Sequence, residues 1–375
     1  SSIRNIESSL IYSDKRIVTQ GEILNRESLG KSIVASKKIL KGSTISMDDI
    51  TLKSPGKGLS PDLSLELIGK KAIRDMLKDD IFYPSDLKQE INKFSDYSFN
   101  REFGIPVRYH DLNILADKCN FDFVEFHLSY GDMNLNLNKI IGRTYDSLSF
   151  KVHAPELFEG DHIIDLASRD KAYRKLSIDH IHRVIDESEK LFKYFPNSDK
   201  PHIVFNAGGF SENGFVSDEY KNESYFLIEE SLKNFQGLSN SELLIQTMPP
   251  YPWHFGGQRF HNNFVDPYEI KDFCSRTKYN ICLDLSHSFL ACNHLDYSLD
   301  QFLDLTNRYI KYMHIVDAKG EDGEGLQIGD GGIDFNLFSS LLHRYNIKAG
   351  FIPEIWQGHK DNGHGFITAL NKLNK

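Results

Sequence analysis

From Gly104 to the C-terminus the chain repeats one pattern: a short apolar run, then a stretch with helical spacing. The runs are Ile105–Arg108, Phe123–His127, Ser149–His153, His202–Asn206, Leu243–Thr247, Ile281–Asp284, Tyr312–Val316 and Phe351–Glu354. Near-continuous apolar runs mark strands buried on both faces of a parallel sheet, because helices cover each face. The segments between them carry their own signals. Leu176, Ile178, Ile181, Val184, Ile185 and Leu191 follow a helical period. Asp266-Pro267 sets a capping carboxylate before a proline at the first helical position, and Ser298 precedes another helical run. Eight strand–helix units over residues 104–375 predict an α/β fold, a (β/α)8 TIM barrel, for which ~250 residues is typical. A doubly wound sheet is the alternative, but it needs a Gly-rich phosphate turn. Ala207-Gly208-Gly209 offers two glycines and no helix start.

In such a barrel the functional groups sit where the strands end. Ile281-Cys282-Leu283-Asp284-Leu285-Ser286-His287 reads as a strand that ends in a carboxylate, with an imidazole three residues later. The next strand delivers His314 and the last delivers Glu354. A hard or borderline divalent ion takes carboxylate oxygens and imidazole nitrogens arriving from several directions. Asp284, His287, His314 and Glu354 are therefore expected to converge on one divalent metal ion. A single strand-end Asp or His is more often a packing residue, and it is the succession on three strands that argues otherwise. Glu354 is the expected base, and His287 the group that orients or protonates substrate.

Other groups are expected at the barrel mouth. The loop Met248–Arg259 is rich in aromatics, Gly and Pro. Trp253 offers a flat apolar face for stacking, and Arg259 can hold a carboxylate or phosphate, with a rigid structural lid as the competing reading. His153, at the end of the third strand, and His359, between Gly358 and Gly363, are expected to touch substrate. His127 is expected to pack. Glu324 reads as a solvated turn residue or an extra ligand.

The 375 residues are too many for one typical domain and fit two unequal ones. Residues 22–88 differ in character from the repeat. Short β-rich runs, Ser32–Ala35 and Thr44–Ser46, are punctuated by Lys41-Gly42, Ser54-Pro55-Gly56-Lys57-Gly58 and Ile68-Gly69-Lys70-Lys71, which predicts a small β-rich domain. Residues 1–21 read as a helical tail (Ile3–Leu10) with a link, and residues 89–103 as a polar linker. The start at Ser-Ser-Ile, without methionine, suggests a fragment or a processed form. A net charge of −9 argues against nucleic acid as a partner. No apolar run approaches the ~18–20 residues that span a bilayer, so no membrane partner is expected. Cys119, Cys274, Cys282 and Cys292 show no CxxC pairing, which fits a reduced cytoplasmic setting.

Two resemblances extend this reading. Asn25–Ala35, Ile39-Leu40-Lys41-Gly42, Leu52–Pro61 and Leu67–Ala72 resemble the SAF (antifreeze-like) domain, a β-clip-like fold at the C-terminal end of sialic acid synthases. Ser2–Glu7 is similar to the last helix of that family's catalytic barrel, which implies a synthase barrel upstream in the same polypeptide. That family reaches its substrate with an arginine of this domain. Gly30-Lys31 and Ser54 stand at the corresponding places here, and lysine cannot reproduce a bidentate guanidinium contact.

Residues 104–375 resemble the xylose-isomerase-like TIM-barrel superfamily. The resemblance is carried by Asp284-Leu-Ser-His287, His314-Ile-Val-Asp317-Ala318, Ile328–Phe335 and Pro353-Glu354-Ile355-Trp356. Its epimerase branch implies one Mn or Mg-type ion held from strands five to eight, which maps onto Gln246, Asp284, His314 and Glu354; Zn is a further candidate for the same place. The first of these is a glutamate in that branch. Gln246 can lend a carbonyl oxygen but cannot carry a proton. The endonuclease branch implies three zinc ions. His153 fits it, but Asn206 stands where it has a histidine and Gly323–Leu326 lacks its ligands, so DNA repair is not expected.

Together these imply a divalent-metal-dependent sugar or sugar-phosphate isomerase or epimerase fused to a SAF domain, in the synthesis of nonulosonic acids or surface polysaccharides. The alternative is a non-catalytic sugar-binding or assembly module of a synthase. Homo-oligomerisation is left open.

Overall fold

Eight parallel strands form one sheet in the computed structural model, each beside its neighbour in chain order. They are β1 (Gly104–Val107), β2 (Phe123–His127), β3 (Ser149–His153), β4 (His202–Phe205), β5 (Glu242–Gln246), β6 (Asn280–Asp284), β7 (Ile310–Ile315) and β8 (Gly350–Pro353). The structure describes residue 3 and residues 20–89, 94–237, 240–254 and 257–374. The first and last strands meet at a seam, where Phe103 bridges Phe351 in parallel and the Phe351 amide donates to the Glu102 carbonyl at 3.0 Å. The predicted TIM barrel is thus the observed fold, and all eight apolar runs are its strands.

The register sets the strand ends side by side. His127 is level with His153, Cys282 with Gln246, and Asp284 with His314. Strand side chains alternate between faces, so the residue two steps earlier lies in the layer below. Leu244, Cys282, Tyr312 and Ile352 stand two residues before Gln246, Asp284, His314 and Glu354, and with Phe123 and Val204 they form one fully buried cluster. That layer is the floor of the site. Lys151 shares the interior, its ammonium 4.4 Å from the Phe123 ring and 3.3 Å from His202 Nδ1.

The covering helices carry side-chain caps, at Asp266 and Ser298 where the sequence signals them. Asp170 accepts from the amides of Ala172 and Tyr173 at the start of Lys171–Leu191. Asp266 caps Pro267–Thr277, and Ser298 forms a reciprocal box with Gln301 at the start of Leu299–Thr306. Among the described residues no helix is long and apolar enough to cross a membrane.

The chain divides into two units, Ser1–Ile91 and Asn92–Lys375. In the first, a helix (Gln20–Leu29) precedes an antiparallel pair, Ser32–Ala35 with Ile50–Lys53. Ile33, Ile39, Ile45, Leu59, Leu67, Met76 and Phe82 form its core. The strand expected at Thr44–Ser46 is only a bridge from Thr44 to Lys71, and Ile45 is held by single bonds to the Lys70 carbonyl and the Gly69 amide. Ile50–Lys53 was not anticipated as a strand, because it is nowhere buried. The helical reading of Ile3–Leu10 lies outside the described residues except at Ile3, which is helical and exposed.

Of the stretch expected to be a linker, residues 90–93 lie outside the described residues, and residues 94–103 pack on the barrel. Its polar letters are interleaved with aromatics. Phe99 meets Phe103 and Phe351 edge-on at 5.0 and 5.1 Å. Tyr97 donates through its hydroxyl to Asn371 Oδ1 at 3.0 Å.

Candidate functional site

Asp284 ends β6 and caps the helix Leu285–Leu295 that follows. Its Oδ1 accepts from the His287 amide at 2.9 Å, which leaves Oδ2 turned toward the neighbouring strands. His314 Nδ1 lies 3.9 Å from that Oδ2 and 2.8 Å from Glu354 Oε2. Glu354 is the first residue past β8, and its amide donates to the Ile315 carbonyl. Gln246 ends β5 with Nε2 3.2 Å from both Asp284 Oδ2 and His314 Nδ1. His153 ends β3 with Nε2 3.3 Å from Gln246 Oε1. His153, His314 and Glu354 present ligand atoms within 4.8 Å of one another.

Counting donors shows what this cluster lacks. His314 Nε2 faces Glu125 at 3.2 Å, and an ionised carboxylate only accepts, so Nε2 carries the ring's proton. The Nδ1 lone pair of a neutral ring then points at the Glu354 carboxylate. His153 Nδ1 donates to the Ala154 carbonyl at 2.8 Å, so its Nε2 lone pair faces the Gln246 oxygen. A half-turn of the Gln246 amide removes that conflict, because Nε2 then donates to His153. The same turn brings the carbonyl oxygen against Asp284 and His314. Every atom at the centre is then an acceptor, which is the donor set a divalent cation satisfies.

Without a cation the electrostatics fall on the proton. Burial disfavours a charged His314, but the Glu354 and Glu125 carboxylates outweigh it and hold the imidazole protonated well above its usual range. Burial likewise opposes charge on Glu354, yet His314, His127 and His153 keep it ionised far below the usual carboxylate range. Burial dominates at Asp284, whose carboxyl is pushed up to about 6.

His287 stands at the edge of this cluster. Its Nδ1 is 2.8 Å from the Thr247 carbonyl and its Nε2 is 3.3 Å from Glu324 Oε2. Burial opposes its charge, but Asp284 and Glu324 raise it to about 9. Glu324 arrives on a hairpin, Asp317–Lys319 with Gly323–Leu326, and so meets the site through His287.

Sequence reasoning passed over Glu125. It is fully buried in β2, with Oε1 2.8 Å from His127 Nε2. His127, expected to pack, stacks on His153 with ring centroids 5.0 Å apart and turns Nδ1 to within 3.8 Å of Glu354 Oε1. The signal was the two-residue alternation of Phe123, Glu125 and His127, which puts Glu125 on the face that ends in His127. Burial opposes charge on Glu125, but His314 and His127 hold it well below the usual carboxylate range.

The mouth residues are arranged differently from the cluster. Arg259 lies over the Phe210 ring at 4.8 Å and 3.7 Å from Glu212. Trp253 lies in a short hairpin opposite Gln258, with its indole nitrogen enclosed, and residues 255 and 256 of that loop lie outside the described residues. His359 precedes the helix Lys360–Leu373, and its carbonyl accepts from the Gly363 amide. The contacts described for Arg259 run to the chain after β4, and those for Trp253 to its own hairpin.

Comparison with known proteins fits this architecture. The family model described as a xylose isomerase-like TIM barrel matches residues 114–375, and the SAF domain model matches residues 30–88. An uncharacterized protein of Methanocaldococcus jannaschii, MJ1614, is 29% identical over 222 residues, 57% of this chain and 75% of that protein. The solved structure of a D-tagatose 3-epimerase-like protein superposes with a TM-score of 0.50 at 19% identity, covering 73% of this chain and 98% of that one. D-Psicose 3-epimerase, solved in the presence of D-fructose, gives 0.50 at 15% identity over 72% and 96% of the two chains. At these identities the likeness is one of fold.

Proposed function

Because the chain belongs to the xylose isomerase-like TIM-barrel family, we propose that its barrel is a sugar or sugar-phosphate isomerase or epimerase that uses one divalent ion. The observation that carries this is the acceptor-only cluster at the strand ends. Asp284, His314 and Glu354 would hold the ion (Mn, Mg or Zn), with the Gln246 carbonyl as fourth donor. A bound ion supplies Lewis acidity toward the charge that develops on a sugar oxygen.

The chain's own groups supply the proton chemistry. Glu354 is the base for the carbon beside the sugar carbonyl, kept ionised by the imidazoles around it. Gln246 cannot return a proton. His287, held between the Thr247 carbonyl and Glu324, is the donor on the other side. His153 contacts substrate from β3, and Trp253, Arg259 and His359 bind it at the mouth. The SAF domain supports a role in making nonulosonic or other surface-polysaccharide sugars, in the cytoplasm, beside a condensing barrel of the same polypeptide.

Elemental analysis and Mn2+ titration test the site. One ion per chain is expected for the wild type, and Asp284→Ala and His314→Ala should each lose it. Unchanged ion content in both variants defeats the assignment.

Gln246 itself favours a second reading, a barrel that binds sugar without turning it over. Saturable sugar binding with no change of the sugar's NMR spectrum under prolonged incubation would select it.

A further inference from the structure

The chain after β3, residues 154–170, folds back onto the helix that follows it, and two buried imidazoles make the contact. His162 of this loop is 4% exposed and His180 of the helix Lys171–Leu191 is 6% exposed. Their ring centroids lie 5.0 Å apart. Phe158 stacks on His180 at 4.2 Å, and Tyr173 lies against His162 at 4.1 Å, so four rings from loop and helix meet in one row. The backbone closes around them. The Phe158 amide donates to the His162 carbonyl at 2.8 Å, and the Ile163 amide donates to the Tyr173 hydroxyl at 3.2 Å.

Polar partners are few. His162 Nε2 is 2.9 Å from Ser177 Oγ, and His180 Nδ1 is enclosed with no partner. Among the described residues, neither ring is hydrogen-bonded to a carboxylate. The charged groups around His180 are Glu159 in the loop, and Asp179 and Arg183 on its own helix. Glu159 is engaged by the Tyr130 hydroxyl, and Arg183 lies over the Tyr130 ring at 5.0 Å. Asp165 gives its carboxylate to the amides of Gly209 and Ala167. A charged imidazole has two N–H donors, and each needs an acceptor. A charged His180 would bury one of them unmet, beside a second ring that charges over the same range. Burial lowers His162, and burial with His162 and Arg183 outweighs Asp179 and Glu159 to push His180 down to about 4.

We propose that the His162–His180 contact is an acid-released clasp, which holds residues 154–170 on the helix while both rings are neutral and frees them when the rings take up protons. The loop starts next to His153, so its release loosens one wall of the barrel mouth. The clasp stands on its own geometry and not on the metal site or the function proposed above.

Amide exchange at Phe158 and Ile163 of the full chain, corrected for the intrinsic rate, reads the clasp between pH 6 and pH 4.5. Asp165 lies in the same loop and titrates near 6 with the opposite sign, so every chain measured carries Asp165→Asn. A free imidazole titrates near ~6.5. Each ring that is neutral when clasped and free to charge when released raises the opening constant about tenfold per pH unit below that value. A logarithmic slope between about one and two is expected. His180→Phe keeps an aromatic face against Phe158, and its slope should be smaller by about one. Imidazole NMR titration of the chain with both histidines should place both midpoints below ~6.5. A slope well under one in that chain overturns the clasp, as does an unchanged slope in His180→Phe. Equal acceleration in the helix Asp218–Leu232 marks unfolding of the whole barrel and also overturns a local device. If His180→Phe fails to fold, the midpoints decide, and a value at or above ~6.5 for either ring overturns the clasp.

Discussion

The side-chain oxygen of Gln246 stands 3.3 Å from Nε2 of His153, and both atoms carry lone pairs, because the other ring nitrogen of His153 gives its proton to the Ala154 carbonyl. Turning the amide over relieves this contact and leaves the centre of the barrel mouth lined by acceptors alone. The site is therefore built for positive charge even though its β5 member is neutral.

Gln246→Glu adds a carboxylate beside Asp284. With chelator present the variant should melt a few degrees below the wild type, since like charges confined together destabilise on the order of 1–3 kcal/mol. Excess Mn2+ should reverse the order and raise ion affinity about tenfold or more. Thermal melts with EDTA and with Mn2+ check both arms. An unchanged melting temperature in EDTA would place position 246 away from the cluster.

Asp165 gives a pH signature remote from the cluster. Its Oδ1 accepts from the amides of Gly209 at 2.9 Å and Ala167 at 3.0 Å, but burial dominates and pushes the carboxyl up to about 6. The unfolded chain titrates near 3.9. The folded state thus holds the proton more tightly. The penalty of the charged form is absent below about pH 4, grows as pH rises, and is complete above about pH 6. Asp165→Asn should be more stable than wild type at neutral pH by about 2–3 kcal/mol and equal to it near pH 4. Urea unfolding at the two pH values decides. The same gap at both would falsify the assignment.

Asp317 accepts from four backbone amides: Ala318 and Ile333 on Oδ1 at 2.8 and 3.1 Å, Gly329 and Gly331 on Oδ2 at 2.8 and 2.9 Å. This fully buried carboxylate organises the loop that follows β7. Asp317→Ala leaves those donors without an acceptor and should destabilise by about 3–5 kcal/mol. Amide exchange at Gly329 and Gly331 should accelerate. Retained protection there would mean that the loop is held by other contacts.

Gly209 has a φ of +91°, and a Cβ on it would lie 1.9 Å from Asn263 Oδ1. Asn263 is itself fixed by the Ser224 hydroxyl at 2.8 Å. Gly209→Ala therefore combines a left-handed backbone with a contact that cannot relax freely. A loss of more than about 2 kcal/mol is expected. Chemical denaturation measures it, and a loss below ~0.5 kcal/mol would count against the turn described.

The eight strands were legible because each is a short apolar run, and the helices because Asp266, Ser298 and a long apolar period announce them. Asp284, His314 and Glu354 were legible because each follows such a run, and the register then sets Asp284 level with His314. Glu125 was not singled out, because alternation shows that it shares a face with His127 but not that this face turns to the strand-end cluster until the neighbouring strands are in place. Arg259 shows the opposite limit. Its loop and charge were readable, but its pairing with Glu212 and Phe210 depends on the chain after β4. The stretch 94–103 looked like a linker because polar letters outnumber its aromatics, whereas packing depends on Phe94, Tyr97, Phe99 and Phe103.

The seam of the barrel brings its own two ends together. Tyr97 reaches Asn371, and the Ser98 amide donates to Asn374 Oδ1 at 3.2 Å. A short peptide from Asn374 to the start of this segment would close the barrel into a continuous loop of chain. The polypeptide could then be opened at the exposed turn near Asn197, so that strand order would be permuted while every ligand kept its neighbours. The chemistry at the strand ends belongs to the circle of strands, and the point at which the chain enters that circle is a matter of genetic arrangement.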